Sequence, residues 1–172
     1  GKGDAVRTGF DAASGDVLMI LDADLSVPPE ELPRFVEALR DDSCEFANGS
    51  RLVYPMDAKA MRFLNLLGNK FFGNLFSYLL GQPVRDTLCG TKVLRRSDYD
   101  RAAANRGIIG DFDPFGDFDL LFGASLLGLR IRDIPVHYKE RRYGATNISR
   151  FSHGALLLRM SAVAASKLKF VG

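Results

Sequence analysis

The sequence predicts an α/β domain with a mostly parallel sheet flanked by helices, and three observations carry the prediction. Val17 to Leu21 is a continuous apolar run ending in Asp22-Ala23-Asp24, which is how a strand buried in a parallel sheet reads. Further strand-like runs at Phe46 to Ser50, Val93 to Arg95 and Leu129 to Val136 are separated by stretches with helical spacing. At 172 residues, 47% of them hydrophobic, the chain is long enough for one domain with a substantial core. Residues 1–172 are accordingly read as a single domain.

Taken in order, Asp4 to Ala13 carries Ala5, Val6, Phe10 and Ala13 at helical spacing behind an acidic first residue. Gly15-Asp16 turns this helix into the Val17 strand. Val27-Pro28-Pro29 makes a turn, and Pro29 with Glu30 and Glu31 suits a first helical turn. Leu32, Phe35, Val36 and Leu39 then form one apolar face, closed by Asp41-Asp42. The Phe46 strand delivers Arg51 to its carboxyl end.

Ala58 to Leu80 is the longest helical pattern, with Leu64, Leu67, Phe71, Leu75 and Tyr78 predicted as its apolar face. Arg62, Asn65 and Asn69 share a polar face, and Gly68 and Gly73 each weaken the helix by about 1 kcal/mol relative to Ala. Gly81 and Pro83 stop it. Asp86 to Lys92 is a turn-rich segment feeding the Val93 strand, and Asp98 to Ala104 is a short helix. Asp111 to Asp117 is a loop punctuated by Pro114 and Gly116, followed by a buried helix from Phe118 to Leu127. Leu129 to Val136 alternates as an edge strand does, Glu140 to Arg150 is a polar loop, and His153 to Phe170 is a final helix.

The bulk numbers exclude several function classes. A net charge of +2, without a long Lys/Arg run, gives no footprint for nucleic acid. Cys44 and Cys89 lack metal-ligand spacing, so a reduced, cytoplasmic setting is expected. No uncharged apolar stretch approaches the roughly 18 residues that span a bilayer. His137 and His153 are read as structural or surface residues, and Met56, Met61, Phe71, Phe72 and Phe76 as core or interface. Gly1-Lys2-Gly3 opens directly into a helical pattern, which predicts that sequence precedes it.

The chemistry gathers at the end of the first strand. Ligands of open α/β sheets bind beyond the carboxyl ends of the strands. In an extended segment Asp22 and Asp24 point to the same side. Two carboxylates so close repel by about 1 kcal/mol in water and about 4 at an effective dielectric of 20. A divalent cation turns that repulsion into a binding site, and all-oxygen ligation suits Mg²⁺ or Mn²⁺ bridging to phosphate oxygens. The plainer alternative is that Asp22 ends a strand while Asp24 or Ser26 caps the next helix.

Five blocks decide between them: GKGDAVRTGF, LDADLSVPPEEL, GSR at 49–51, DTLCGTKVLRR and GLRIRDIPVHYKERRYGATNIS. In this order they resemble family 2 glycosyltransferases of the GT-A fold, in the branch that makes dolichol- or polyprenol-phosphate sugars. The resemblance covers nearly all of the chain. It implies that the first strands of the GT-A sheet, which hold the nucleotide, lie upstream of Gly1. It further implies a metal-dependent, inverting transfer of a hexose from a nucleotide sugar to a polyprenyl phosphate, with possible contact at the inner face of the membrane. Asp22 and Asp24 match the metal and donor-diphosphate site, and Lys2 and Gly3 match a Gly-Lys-Gly near the nucleotide.

Ser26 stands where some relatives carry a longer ligand and is left out of the metal set. Arg51, Arg62 and Arg141, with Arg142 as a one-residue alternative, match arginines that hold the acceptor phosphate, whose oxygens a planar guanidinium grips in pairs. Asp86 and Gly90 match the acceptor-side turn, and Asp117 and Asp119 an Asp-x-Glu pair, so Asp119 joins Asp22 and Asp24 in the expected catalytic set. Taken alone, each arginine reads as an ordinary surface ion-pair partner.

Three competing functions remain. The same donor chemistry could serve a glycan or other hydroxyl acceptor, which needs a base. A haloacid-dehalogenase phosphatase also opens on Asp-x-Asp, but Asp41-Asp42 follow a helix, and Val27-Pro28-Pro29 does not suit it. A non-catalytic binding module is the third. The last helix, with Leu156, Met160 and Val163 in a stripe beside Arg159 and Lys167, reads as packed on the domain rather than laid in a membrane interface.

Overall fold

A computed structural model describes residues 2–52, 63–106, 116, 118–139 and 150–168. Its elements are α1 (Lys2–Ala12), β1 (Val17–Met19), a single 3-10 turn (Pro29–Glu31), α2 (Leu32–Arg40), β2 (Phe46–Ser50) and α3 (Phe63–Leu80). They continue with β3 (Lys92–Arg95), α4 (Arg96–Ala104), α5 (Phe118–Leu126), β4 (Ile131–Pro135) and α6 (Arg150–Leu168). The sheet order is β1-β3-β2-β4. β2 and β4 pair in parallel, while β3 runs antiparallel to both β1 and β2. β1, β2 and β4 therefore share one direction and β3 alone opposes them. β4 stands at one end of the described order, as its alternation predicted.

Successive residues on each strand serve opposite faces. Leu18, Phe46, Leu94 and Ile131 join one core, and Ala47, Val93 and Ile134 join the other. On the first face α3, α4, α5 and α6 supply Phe76, Leu79, Tyr99, Phe118, Phe122, Leu157 and Met160. On the second, α2 inserts Phe35, Ala38 and Leu39. The result is a three-layer sandwich. Phe76 is the aromatic centre, with ring centroids 5.0 Å from Phe118 and 5.7 Å from Phe122. Burying each such ring stabilises the fold by about 2–3 kcal/mol.

Two expectations need correction. The strand predicted from Val17 to Leu21 ends at Met19, because the chain turns away after Ile20 N donates to Lys92 O at 2.9 Å. On α3 the predicted apolar stripe is largely outward: Leu67, Phe71 and Tyr78 are exposed, whereas Asn69, Phe76, Leu79 and Leu80 are buried. α3 offers two apolar stripes, and Phe118 and Phe122 select the one containing Phe76. Gly73 lets that stripe close in, since a Cβ there would stand 2.5 Å from Arg85 O. On α6 the buried positions are Leu157, Met160, Ser161 and Ala164, so only Met160 of the predicted stripe is fully covered. The start of the long helix at Ala58, the loop at 111–115 and the polar loop at 140–149 lie outside the described residues. Among the described residues, no helix is long and apolar enough to cross a membrane.

Candidate active site

The register brings the carboxyl ends of β1, β2 and β4 to the edge where β3 begins. Beyond β1, Leu25 N donates to Asp22 O at 3.0 Å, so Asp22 and Asp24 lie in a closed turn rather than along an extended strand. Asp24 Oδ1 sets that turn by accepting from Ser26 N at 3.0 Å and Ser26 Oγ at 2.8 Å. Ser26 O in turn accepts from Lys139 N at 2.9 Å, which ties the turn to the segment after β4. Leu25 has φ 51°, a left-handed conformation that costs a leucine about 1–2 kcal/mol. The 3-10 turn that follows has Pro28 at its cap and no side-chain capping bond, so neither Asp24 nor Ser26 caps it.

Both carboxylates are half-buried. Lys2 Nζ lies 3.0 Å from Asp22 Oδ1, so the amino end of α1 presents a cation to the first carboxylate. Gly90 forms the floor beneath it: a Cβ on Gly90 would stand 2.2 Å from Asp22 Oδ2. Gly3 is buried under Gly116, whose added Cβ would meet Gly3 Cα at 2.6 Å. The structure thus brings Lys2, Asp22, Asp24 and Gly90 together and seats Gly3 behind them.

Arg51, just past β2, is almost enclosed. Its Nε donates to Asp86 Oδ2 at 2.7 Å, its Nη2 to Asp86 Oδ1 at 2.7 Å, and its backbone N to Oδ2 at 3.0 Å. The guanidinium also lies over the Tyr138 ring, 5.1 Å from the centroid. Asp86 has no exposed surface. Burial disfavours its charge, yet the Arg51 charge and hydrogen bonds hold its pKa below the usual carboxylate range. Burial likewise opposes the charge of Arg51, and Asp86 outweighs it. Asp86 therefore faces Arg51 and its own turn, donating orientation rather than surface.

Three further residues were not singled out by the sequence. Asn48 Nδ2 donates to Asp86 O at 3.1 Å and to Asp133 Oδ1 at 2.7 Å. Asp133 Oδ2 accepts from Arg85 N at 2.7 Å, and Lys92 Nζ donates to Cys89 O. Asn48 and Lys92 have no exposed surface. Burial pushes the pKa of Asp133 up, against the hydrogen bonds from Asn48 and Arg85. The available signal was a polar residue inside each strand run, Asn48 in FANGS and Lys92 before Val93.

Asp119 opens α5 with its carboxylate between two arginines: Arg106 Nε at 3.3 Å and Arg7 Nε at 3.6 Å from Oδ2. It joins α1 and α5 to the segment after α4. Arg62, Asp117, Arg141 and Arg142 lie outside the described residues. His137 is exposed and meets Glu31 Oε1 at 2.7 Å, as a surface residue does. Cys44 and Cys89 are buried free thiols. An open polar groove of about 490 Å³ lies at the far end of the sheet, lined by Glu45, Arg95, Asp98, Arg101 and Arg130. Those three arginines are paired with Asp42, Asp98 and Glu45 respectively.

The donor set at the turn fits a hard cation. Asp22 and Asp24 offer oxygen ligands only, a cationic Lys2 already sits at one of them, and Gly90 leaves the carboxylate its space. Among the described residues no group of three or more His, Cys, Asp or Glu is placed to hold a metal ion, so a cation here would draw further ligands from a bound diphosphate or water.

Comparison with known proteins bears on the family and the fold. Residues 1–102 match the sequence profile described as Glycosyl transferase family 2. The chain is 31% identical over 160 residues to a dolichyl-phosphate hexose transferase of Haloferax volcanii, a match covering 91% of this chain and 64% of that protein. It is 30% identical over 141 residues to glycosyltransferase AglD of the same organism, covering 82% of this chain and 22% of that one. The chain thus spans less than two thirds of the length of either relative.

Among solved structures, glucosyl-3-phosphoglycerate synthase from Mycobacterium tuberculosis, in complex with Mn²⁺, uridine diphosphate and glucosyl-3-phosphoglycerate, superposes with a TM-score of 0.63 at 20% identity. That match covers 98% of this chain and 55% of the other. The same enzyme with phosphoglyceric acid gives a TM-score of 0.62 at 21% identity, with the same coverage. The fold is GT-A. The profile matches more than half of the chain and the two relatives agree with it: the chain belongs to glycosyl transferase family 2.

Proposed function

We propose that this chain carries the catalytic site of a metal-dependent, inverting glycosyltransferase that moves a hexose from a nucleotide sugar to a polyprenyl phosphate. The observation that carries the reading is the junction of two half-sites at one sheet edge. The Asp22-Asp24 turn rests on Gly90, and the same short turn holds Arg51 through Asp86. The relative named dolichyl-phosphate hexose transferase supports the acceptor class, and the Mn²⁺-bound structural neighbour supports the metal.

In this reading Asp22 and Asp24 hold a divalent cation together with the donor diphosphate. When bound, the cation stabilises the charge that develops on the leaving nucleoside diphosphate. Lys2 supplies a second positive charge beside it, and Gly3 seats the first turn of α1. Arg51 orients the acceptor phosphate, with Arg62 and Arg141 (Arg142 as its alternative) completing the cradle. A phosphate oxygen attacks the anomeric carbon from the face opposite the leaving group, and the configuration inverts. That oxygen is already anionic near neutral pH, so no base is required. A hydroxyl acceptor would need one, and Asp119 is then the candidate.

The test uses the full-length protein with membranes, a panel of labelled nucleotide sugars and Mn²⁺ or Mg²⁺, reading label in the organic-extractable lipid. Metal-dependent lipid label that disappears in Asp24→Asn is the expected result. Donor binding without lipid label sinks the polyprenyl phosphate reading and directs attention to hydroxyl acceptors.

A further inference from the structure

The segment Arg85–Cys89 is held in an unusual way. Four of its backbone groups are gripped by side chains: Arg85 N by Asp133, Asp86 O by Asn48, Leu88 N by Asp86 Oδ1 at 3.2 Å, and Cys89 O by Lys92. Many turns close on a backbone hydrogen bond of their own, whereas this one is held by side chains, most of them from outside it. The grips come from all three strands β2, β3 and β4, and Asn48 Nδ2 links two of them by also meeting Asp133 Oδ1 at 2.7 Å. Strand β2 presses on the segment as well, since a Cβ on Gly49 would stand 2.7 Å from Cys89 Sγ and 3.1 Å from Thr91 O.

The chemistry of these residues is costly for a purely architectural role. Lys92 is a strand residue with no exposed surface, and burying an ammonium is unfavourable unless charges and acceptors surround it. Here Lys92 Nζ donates to Cys89 O, and the carboxylates of Asp86 and Asp133 are tied to the same short segment. A Val or Thr would build the same strand without that cost. What the arrangement gains is a rigid turn, and that turn touches both half-sites: Asp86 holds Arg51, and Gly90 lies against Asp22.

We propose that Asn48, Lys92 and Asp133 are positioning residues of the transferase. Acting through the Arg85–Gly90 turn, they set the Arg51 guanidinium and the Asp22 carboxylate relative to each other. This rests on the reading of Arg51 and Asp22 given above. It goes further in making donor and acceptor geometry depend on three residues expected to contact neither ligand.

The experiment compares full-length wild type with Asn48→Ala, Lys92→Met and Asp133→Asn. Three quantities are read: amide hydrogen exchange of residues 85–90, Mn²⁺ affinity by electron paramagnetic resonance, and the acceptor KM against kcat. Each variant is expected to speed exchange in the turn, weaken Mn²⁺ binding about 10-fold and raise the acceptor KM, the scale typical of partners that orient a ligand-holding group. Asp133→Asn keeps the shape of the side chain but sets an N–H against Asn48 Nδ2 or Arg85 N, so it loses one of the two bonds and keeps the other. Faster exchange with wild-type Mn²⁺ affinity and KM overturns the proposal, as does unchanged exchange in the turn. If wild type transfers nothing to lipid phosphate, the acceptor reading fails on its own, while exchange and Mn²⁺ affinity still decide the role of the three residues.

Discussion

Replacing Gly90 by Ala probes the contact on which the donor half-site rests. The added Cβ would stand 2.2 Å from Asp22 Oδ2, 2.7 Å from Cγ and 2.8 Å from Oδ1, where ordinary contact begins at 3.4 Å. Oδ2 must therefore retreat by about 1.2 Å, and the side chain is free to do so because 40% of it is exposed. The cost in folding is then an off-minimum side-chain torsion, about 0.5–1.5 kcal/mol. It is offset in part by the reduced freedom of Ala in the unfolded chain, about 0.4–1 kcal/mol.

Function suffers more, since productive sites tolerate displacements of about 0.5 Å, and a misplacement near 1 Å costs about 100-fold in rate. That factor corresponds to about 2.7 kcal/mol of barrier. The assay pairs thermal melting with Mn²⁺ titration and turnover on the labelled donor. A melting temperature near wild type, weakened Mn²⁺ binding and a roughly 100-fold loss of kcat are expected. Wild-type Mn²⁺ affinity and turnover in a folded Gly90→Ala protein would refute the reasoning, because Asp22 could then leave its place without consequence.

Other substitutions separate packing from propensity. Gly68 and Gly73 lie on the same helix, yet a Cβ at Gly68 meets nothing within 4 Å while one at Gly73 meets Arg85 O at 2.5 Å. Gly68→Ala should raise the urea midpoint by up to about 1 kcal/mol of stability, and Gly73→Ala should lower it by about 1–3 kcal/mol; a shared sign contradicts the packing. Phe76→Ala removes the buried centre of the aromatic cluster and should cost about 3–5 kcal/mol in chemical denaturation, with under 1 kcal/mol arguing against a closely packed core there.

Asp86 and Asp133 should give opposite pH dependences of stability. The depressed pKa of Asp86 makes its contribution present above its ordinary value of 3.8 and lost as pH falls through the folded value. The raised pKa of Asp133 makes its contribution full below 3.8 and lost as pH rises through the folded value. Asp133→Asn should therefore remove a decline in stability above pH 3.8, measured as urea midpoint against pH, and an unchanged profile would contradict the burial of that carboxylate.

Local patterns carried much of the fold. The alternation of strand and helix and the Pro29-Glu30-Glu31 turn follow from near neighbours along the chain and stand where the sequence predicts them, while on α2 Phe35, Ala38 and Leu39 are buried and Leu32 and Val36 of the predicted face are half-buried. The Asp-x-Asp that follows β1 stood out in the sequence as two carboxylates closing an apolar run, a pattern that left a strand end or a cap open beside a metal site. Arg51 was expected at the acceptor phosphate from the resemblance, and its bidentate hold by Asp86 was not foreseen.

What only the tertiary structure decided depends on contacts between distant segments. α3 carries two apolar stripes, so its periodicity is satisfied by either, and Phe118 and Phe122 on α5 choose between them. Asn48, Lys92 and Asp133 are polar residues on three different strands and become one cluster only when β2, β3 and β4 align in register. Asp119 matched a catalytic position by sequence and is found between Arg7 and Arg106, partners no spacing rule connects. The sequence by itself determined the family and the order of the elements, because residue type and local spacing carry both. Which side chains hold which others was decided by the fold, because burial and ion pairing are properties of neighbours in space.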